Sequence, residues 1–427
     1  MTRLRYSNGD EKQERLIDVK LSEGLEDWDF EGADTQYLTH GIHPYPARMI
    51  PQIAHRLISR YSHEKNLVVD PFCGSGTVLV ESLLLRRKAI GNDINPLAVL
   101  IAKVKTTPIE PSRLEKYVSD VLSRLEREIP LLRNGKIIVN SPKFPNIELW
   151  FKHNVIIELA FLRKIINDVG DEDVKDLLKI CFSRTVRKVS NIYNSGDTFV
   201  KRLSQRQLSY HNPNTFEQFK EITIDVTRRV REFWLRLSTD TLNASVNIMS
   251  YDARKLPLEN ETCDLIVTSP PYGEEKNTIS YTRWSKLSLL WLGYNPEEIL
   301  ARQKASLGST IQARSIHSET LSDILEKVQK EDAKLAKNAT SFFNDYETSL
   351  KEMYRILRHG GFCCIVIGNR SLKRRRVPMD VITKEIGNQI GFEHVATYHR
   401  NIPTKATPWV VAKGETIHSE NILVFQK

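Results

Sequence analysis

The residues of this 427-residue sequence best suited to chemistry are two acids, a pair of glycines and a Ser-Pro-Pro-Tyr turn. In Val68-Val69-Asp70-Pro71-Phe72-Cys73-Gly74-Ser75-Gly76-Thr77 an apolar run ends on an acid. It then passes through a G-x-G turn into a helix-like stretch, Val78–Leu85. Gly74 and Gly76 allow the backbone to turn tightly and to approach a ligand where a Cβ would clash. The helix that follows would present unsatisfied N–H groups to whatever sits in the turn. The loop lacks both the Gly-Lys-Ser/Thr of a P-loop and the third glycine of the dinucleotide fingerprint. Asp70 at the strand end would repel a phosphate and attract an amine, so the loop suits a cofactor bearing an ammonium group. The next run closes with Gly91-Asn92-Asp93-Ile94-Asn95-Pro96. An acid at the tip of a second strand can accept hydrogen bonds from ribose hydroxyls. Asp93 or Asn95 could instead cap a helix that begins near Pro96.

Further on, Asp264-Leu265-Ile266-Val267-Thr268 leads into Ser269-Pro270-Pro271-Tyr272-Gly273. The Pro-Pro pair stiffens the turn and, having no N–H, leaves its carbonyls free. A hydroxyl and a fixed carbonyl together can accept both hydrogens of an NH2 group. The exocyclic amine of cytosine or adenine is a poor nucleophile because its lone pair is delocalised into the ring. Drawing its two hydrogens towards a tetrahedral arrangement exposes that lone pair. Tyr272 can stack on a base that has left the duplex, at about 1–3 kcal/mol per base, against a flipping cost of a few kcal/mol. On its own, the same turn would be read as a proline-rich corner with a core tyrosine.

These segments, in this order, resemble the amino-methyltransferases that act on cytosine N4 or adenine N6 of DNA with S-adenosylmethionine. The resemblance implies that Asp70 and the Gly74/Gly76 turn, with Phe72 and Thr77, hold the methionine part. It also implies that Asp93 holds the ribose and that Ile94 packs on adenine. His43-Pro44-Tyr45-Pro46-Ala47-Arg48 resembles the segment that closes over the methionine end, which brings in Tyr45 and Pro46. Tyr251-Asp252-Ala253-Arg254 resembles the adenine-contacting turn, which brings in Asp252. Tyr281 to Leu287, ending near Trp291 and Gly293, also resembles segments downstream of the turn in restriction–modification enzymes. In this family serine at the first position of the tetrapeptide is commoner in cytosine enzymes and aspartate in adenine enzymes. The expected role is therefore a cytosine-N4 methyltransferase with Ser269, Pro270, Pro271 and Tyr272 as its catalytic turn. Adenine-N6 methylation is the near variant. The tRNA guanine-N2 methyltransferases share a similar loop and turn, but usually carry aspartate before the prolines and an RNA-binding domain in front. Cytosine C5 chemistry needs a cysteine nucleophile in a Pro-Cys pair, and no cysteine here follows a proline.

A site of this kind needs a sheet whose strands end together. Seven runs read as strands: Asn66–Asp70, Lys88–Asp93, Ser245–Tyr251, Cys263–Ser269, Gly361–Gly368, His394–Arg400 and Glu420–Lys427. Near-continuous apolar runs suit strands buried on both faces, and helical patterns between them predict an α/β, doubly wound, Rossmann-like sheet. The last two strands have no helix-length pattern between them, so they are expected to pair antiparallel. The implied organisation is an N-terminal extension over 1–40, a first catalytic segment over 41–107, a mostly helical insertion over 108–244 and a second catalytic segment over 245–427. Within the insertion, amphipathic patterns mark Leu114–Glu128, Val155–Asp168 and Phe216–Arg236. A second excursion runs over 274–344.

Composition sets the partners. Lys and Arg number 62 against 53 acids, a formal charge of +9, which favours a polyanion through counterion release. Double-stranded DNA is the expected partner. Basic contacts are expected from Arg187, Lys188, Lys201 and Arg202 in the insertion. A loop at the catalytic edge is expected to add Arg374, Arg375 and Arg376. A cognate restriction endonuclease is a functional partner of such an enzyme. The five cysteines form no CxxC pair and no metal site is expected. No apolar run reaches the length of a membrane span, and no secretory signal is visible, so a cytoplasmic protein is expected.

Overall fold

The computed structural model describes residues 27–193, 202–237, 246–273, 280–309, 317–402 and 418–427. Its centre is a seven-stranded sheet built from β1 (Leu67–Asp70), β2 (Lys88–Asn92), β3 (Val246–Met249), β4 (Cys263–Thr268), β5 (Leu357–Gly368), β8 (Glu393–Asn401) and β9 (Ser419–Gln426). The strand order is β3-β2-β1-β4-β5-β9-β8. The first five strands are parallel, with Val69 opposite Ile90 on one side and Ile266 on the other. β9 inserts antiparallel between β5 and β8, so the C-terminal hairpin closes the sheet as expected. Val68, Val69, Leu265, Ile266 and Val267 are all fully buried, because helices cover both faces of a parallel sheet.

The connections carry the site. α1 (Pro51–Tyr61) precedes β1, α2 (Thr77–Leu84) links β1 to β2, and α3 (Pro96–Thr106) leaves β2. The helical insertion then runs through α4 (Pro111–Arg133), α5 (His153–Asn167), α6 (Glu172–Val189), α7 (Gln205–Tyr210) and α8 (Thr215–Arg236). Leu114–Glu128 lies within α4 and Phe216–Arg236 within α8, and Val155–Asp168 runs one residue past the end of α5. After β4 come α9 (Tyr281–Leu292), α10 (Pro296–Ala305), α11 (Glu319–Glu331) and α12 (Ala333–Ile356). The insertion shares one apolar cluster with α3 and α9, in which Trp284 and Trp291 meet Phe182 and Leu159. α12 packs on the sheet through Phe343, Leu350 and Met353. The second excursion thus divides between the two cores.

The basic segment after β5 differs from expectation. It is not an open loop but a hairpin, β6 (Arg370–Leu372) and β7 (Arg375–Val377), with α13 (Met379–Ile390) following. Lys373 and Arg374 turn it with φ of 49° and 64°. Buried Leu372 and Val377 pin it to the sheet's core, while Arg370 is itself buried.

Candidate active site

The strand ends β1, β2 and β4 open into one cleft of about 1280 Å³, its open mouth included. Asp70, Phe72, Gly74, Thr77, Asp93 and Ile94 line it from the first two loops. Tyr45 and Pro46 line it from the segment before α1, and Asp252 from the turn after β3. Asp70 is 3% exposed. Its Oδ1 accepts from Thr268 Oγ1 at 2.6 Å and from the Phe72 amide at 3.1 Å. Burial pushes its carboxyl up to about 7, although those two hydrogen bonds pull the other way. A carboxylate held out of water at the floor of a cleft is a site for a cation.

Asp93 braces the glycine loop as well as facing the cleft. Its Oδ2 accepts from the Gly74 amide at 3.0 Å and its Oδ1 from the Asn95 amide at 2.8 Å. The capping role falls to Asn95, whose side chain accepts from the Leu97 amide at 3.1 Å at the start of α3. The Asn95 amide nitrogen also donates to Tyr45 Oη at 3.1 Å and to Ser285 Oγ at 2.8 Å. That one residue therefore ties the β2 loop to α9 and to the segment over the cleft. Tyr45 is buried, with Tyr281 stacked 5.9 Å away and Trp284 edge-on at 5.5 Å.

The two glycines have different reasons. Gly74, at φ +50°, sits in the cleft wall, where an added Cβ would stand 3.5 Å from the Tyr45 ring. Gly76, at φ +82°, is absent from the lining. A Cβ there would come within 2.9 Å of the Ala102 Cβ. Its smallness lets α2 pack on α3. Asp252 reaches the cleft already paired, since Arg254 Nε and Nη2 contact its two oxygens at 2.6–3.0 Å. Arg254 also meets Asp345 at 2.7 Å.

The Ser-Pro-Pro-Tyr turn leaves β4, the strand between β1 and β5. Ser269 and Pro271 line the cleft, whereas Pro270 is buried. Tyr272 is half-buried and packs in part against the sheet's apolar cluster. Its hydroxyl lies 3.3 Å from Ser269 Oγ and donates to Glu420 Oε1 at 3.0 Å. Burial pushes the Tyr272 phenol well up, and Glu420 adds to the effect. All five cysteines are buried and free of disulfides. Burial pushes the thiol of Cys73, which also lines the cleft, well up, with Asp93 adding to the effect. It is thus no thiolate nucleophile.

The basic residues split. Arg374 and Arg376 are exposed on the β6–β7 hairpin, which leaves the same sheet edge as the Ser269 turn. Arg375 instead pairs with Glu331, and Lys373 meets Asp332 at 3.3 Å. Lys188 and Arg202 are exposed. Arg187 is packed inward, its guanidinium 4.0 Å from the Trp284 ring centroid and donating to the Trp284 carbonyl. Its charge goes into holding α6 against α9. Lys201 lies outside the described residues.

Three features escaped sequence reasoning. Arg48 lines the cleft and donates to the His40 carbonyl at 2.6 Å. Its place in the Tyr45–Pro46 segment was the available signal. Lys105 is fully buried and donates to Ser75 Oγ at 3.2 Å behind the glycine loop, and burial pushes its ammonium well down. Glu420 approaches the Ser269–Tyr272 turn from the last strand. For the last two no local pattern exists, because sheet and helix packing bring them in.

The family described as DNA methylase (N6_N4_Mtase) matches residues 3–104 and 263–427, which together carry the glycine loop, the Asp93 loop and the Ser269 turn. Type II methyltransferase M.MvaI of Kocuria varians is 33% identical over 420 residues, covering 93% of this chain and 92% of that protein. Type II methyltransferase M.MjaII of Methanocaldococcus jannaschii is 23% identical over 424 residues, with 77% of each chain covered. M.BsoBI of Geobacillus stearothermophilus is 24% identical, over 81% of this chain and 77% of that one. With the cofactor loops and Ser269 and Pro271 of the turn lining one cleft, and with likeness along nearly the whole chain, the protein belongs to the N6/N4 DNA methyltransferase family, whose methyl donor is S-adenosylmethionine.

Proposed function

We propose that this protein methylates the N4 amine of cytosine in duplex DNA, at a specific sequence and with the base flipped out, as the modification partner of a restriction endonuclease. The observation that carries this reading is that Ser269 and the Asp70 and Asp93 loops line a single cleft. Serine at the head of the turn favours cytosine over adenine. The relatives named type II methyltransferases support the restriction–modification setting. The helical insertion, with Lys188 and Arg202 exposed, and the Arg374/Arg376 hairpin would grip the DNA.

S-adenosylmethionine, when bound, supplies an electrophilic methyl group on a sulfonium. The residues present suit it. The buried Asp70 carboxylate matches its ammonium, Asp93 its ribose, and Ile94 with Asp252 its adenine. Tyr45, Pro46, Phe72 and Thr77 would enclose the methionine part with the Gly74 turn. On the substrate side, Ser269 Oγ and a carbonyl of the Pro270–Pro271 pair accept the two amine hydrogens, which turns the nitrogen lone pair outward. Ser269 orients the amine and does not act as a strong base. The proton leaves to solvent once the nitrogen carries four bonds and has become acidic. Tyr272 offers its ring to the flipped base.

Methyl acceptance by altered DNA tests the base. Duplexes amplified with N4-methylcytosine in place of cytosine should accept no labelled methyl, and duplexes amplified with N6-methyladenine in place of adenine should still accept it. The reverse pattern would move the reaction to adenine.

A further inference from the structure

The catalytic turn is tied to the far end of the chain by a row of polar atoms. Ser269 Oγ lies 3.3 Å from Tyr272 Oη, which donates to Glu420 Oε1 at 3.0 Å. The other Glu420 oxygen accepts from Arg400 Nη1 at 2.7 Å. Glu420, the second residue of β9, faces Arg400 across the β8–β9 ladder. The side chains of the ion pair are only 10% (Arg400) and 17% (Glu420) exposed.

The direction of this row follows from counting protons. A carboxylate only accepts, a guanidinium only donates, and a phenol has one proton to give. With Arg400 donating to one Glu420 oxygen, the other takes the single proton of Tyr272. The Tyr272 oxygen is then left as an acceptor, and the contact with Ser269 forms only if Ser269 donates. Once its proton is spent on Tyr272, Ser269 presents lone pairs to the cleft that it lines.

We propose that Glu420 is a positioning residue that fixes Ser269 as a hydrogen-bond acceptor, so that the turn admits a base by its amino group and disfavours a carbonyl at the same place. This rests on Ser269 being the group that orients the target amine. Reversing the row would make Ser269 a donor. The turn would then suit the oxygen of uracil, thymine or guanine and would misalign an amine. Glu420 thus acts through Tyr272 and contacts no substrate.

The test is a double-mutant cycle on the full-length enzyme, with unmethylated duplex DNA and S-adenosylmethionine. Single-turnover methyl transfer is read for the wild type, Glu420→Gln, Tyr272→Phe and the double variant, and cofactor affinity is read by calorimetry. Glutamine keeps the shape and still accepts from Arg400, but its amide can donate to Tyr272. Glu420→Gln should lower the transfer rate at least tenfold and leave cofactor affinity within twofold. In the Tyr272→Phe background, where the row is already cut, it should change the rate less than twofold. If Glu420→Gln proves unstable to heat, Glu420→Asp carries the same cycle, with the same required loss of effect beside Tyr272→Phe. A rate unchanged by Glu420→Gln, or an equal loss with and without Tyr272, would overturn the proposal. A wild-type protein that methylates no DNA would instead overturn the proposed function.

Discussion

Asp70 shows how one side chain can be costly to the fold and useful to the site. Burial raises its carboxyl from 3.8 to about 7, so the folded state holds that proton more tightly than the unfolded chain does. Folding stability of the ligand-free protein therefore falls as pH rises from about 4 to about 7 through this group. Asp70→Asn keeps an acceptor for Thr268 and removes the charge. Its melting temperature should exceed that of the wild type above about pH 7 and match it near pH 4. Cofactor affinity should move the opposite way, rising with pH through about 7 in the wild type and staying low and flat in the variant. Calorimetric titrations across that range would check it, and an Asn variant with wild-type affinity would remove Asp70 from the ammonium site. At this scale the sequence was informative wherever a residue's role depends on its immediate neighbours. Asp70, Gly74, Asp93 and Ser269 all face the cleft. It was silent where a distant partner takes part, as when Arg187 lies over Trp284 or Ala102 crowds Gly76.

Among the elements, α2 must be held still, because the glycine loop is its N-terminal end. Glu81, fully buried on that helix, accepts from Tyr37 and His40 of the chain before α1 and from His55 of α1 at 2.6–2.8 Å. Burial alone would raise its carboxyl. The bonds from His40, His55 and Tyr37 outweigh that and hold it at about 2. The stability it lends is present above pH 4.5 and is lost as pH falls towards about 2. Glu81→Ala would leave buried His40, half-buried Tyr37 and exposed His55 without their acceptor and should cost roughly 3 kcal/mol. Urea titration at neutral pH would measure it, and a shift under about 1 kcal/mol would make the cluster incidental. The strands themselves were legible because buried parallel strands are continuous apolar runs. β6 and β7 were not, since Arg370-Ser371-Leu372 and Arg375-Arg376-Val377 have the composition of a solvated loop. Only the burial of Leu372 and Val377 reveals the hairpin.

For the molecule as a whole, the charge of +9 matters through where it is free to act. The two exposed arginines of the hairpin, Arg374 and Arg376, stand at the sheet edge that also bears the Ser269 turn, while Arg375 is spent on Glu331. Replacing Arg374 and Arg376 by Ala should weaken DNA binding across sequences. It should also lower the slope of log affinity against log salt by roughly 2, at about 0.9 per phosphate contact. Arg375→Ala should leave the slope unchanged, and an unaltered slope in the double variant would take the hairpin out of the interface. Glu420 reaches Tyr272 of the Ser269 turn from β9, the last strand of the chain, 148 residues further on. No spacing rule predicts such a contact, and only the β5-β9-β8 order explains it.

The most direct test of the central claim is the identity of the product. Duplex DNA is incubated with the protein and S-adenosylmethionine, digested to nucleosides and analysed by mass spectrometry. N4-methylcytosine is the expected product, absent from DNA treated with a Ser269→Ala variant. N6-methyladenine alone would contradict the cytosine assignment, and methyl groups found on tRNA but on no DNA nucleoside would contradict the account as a whole.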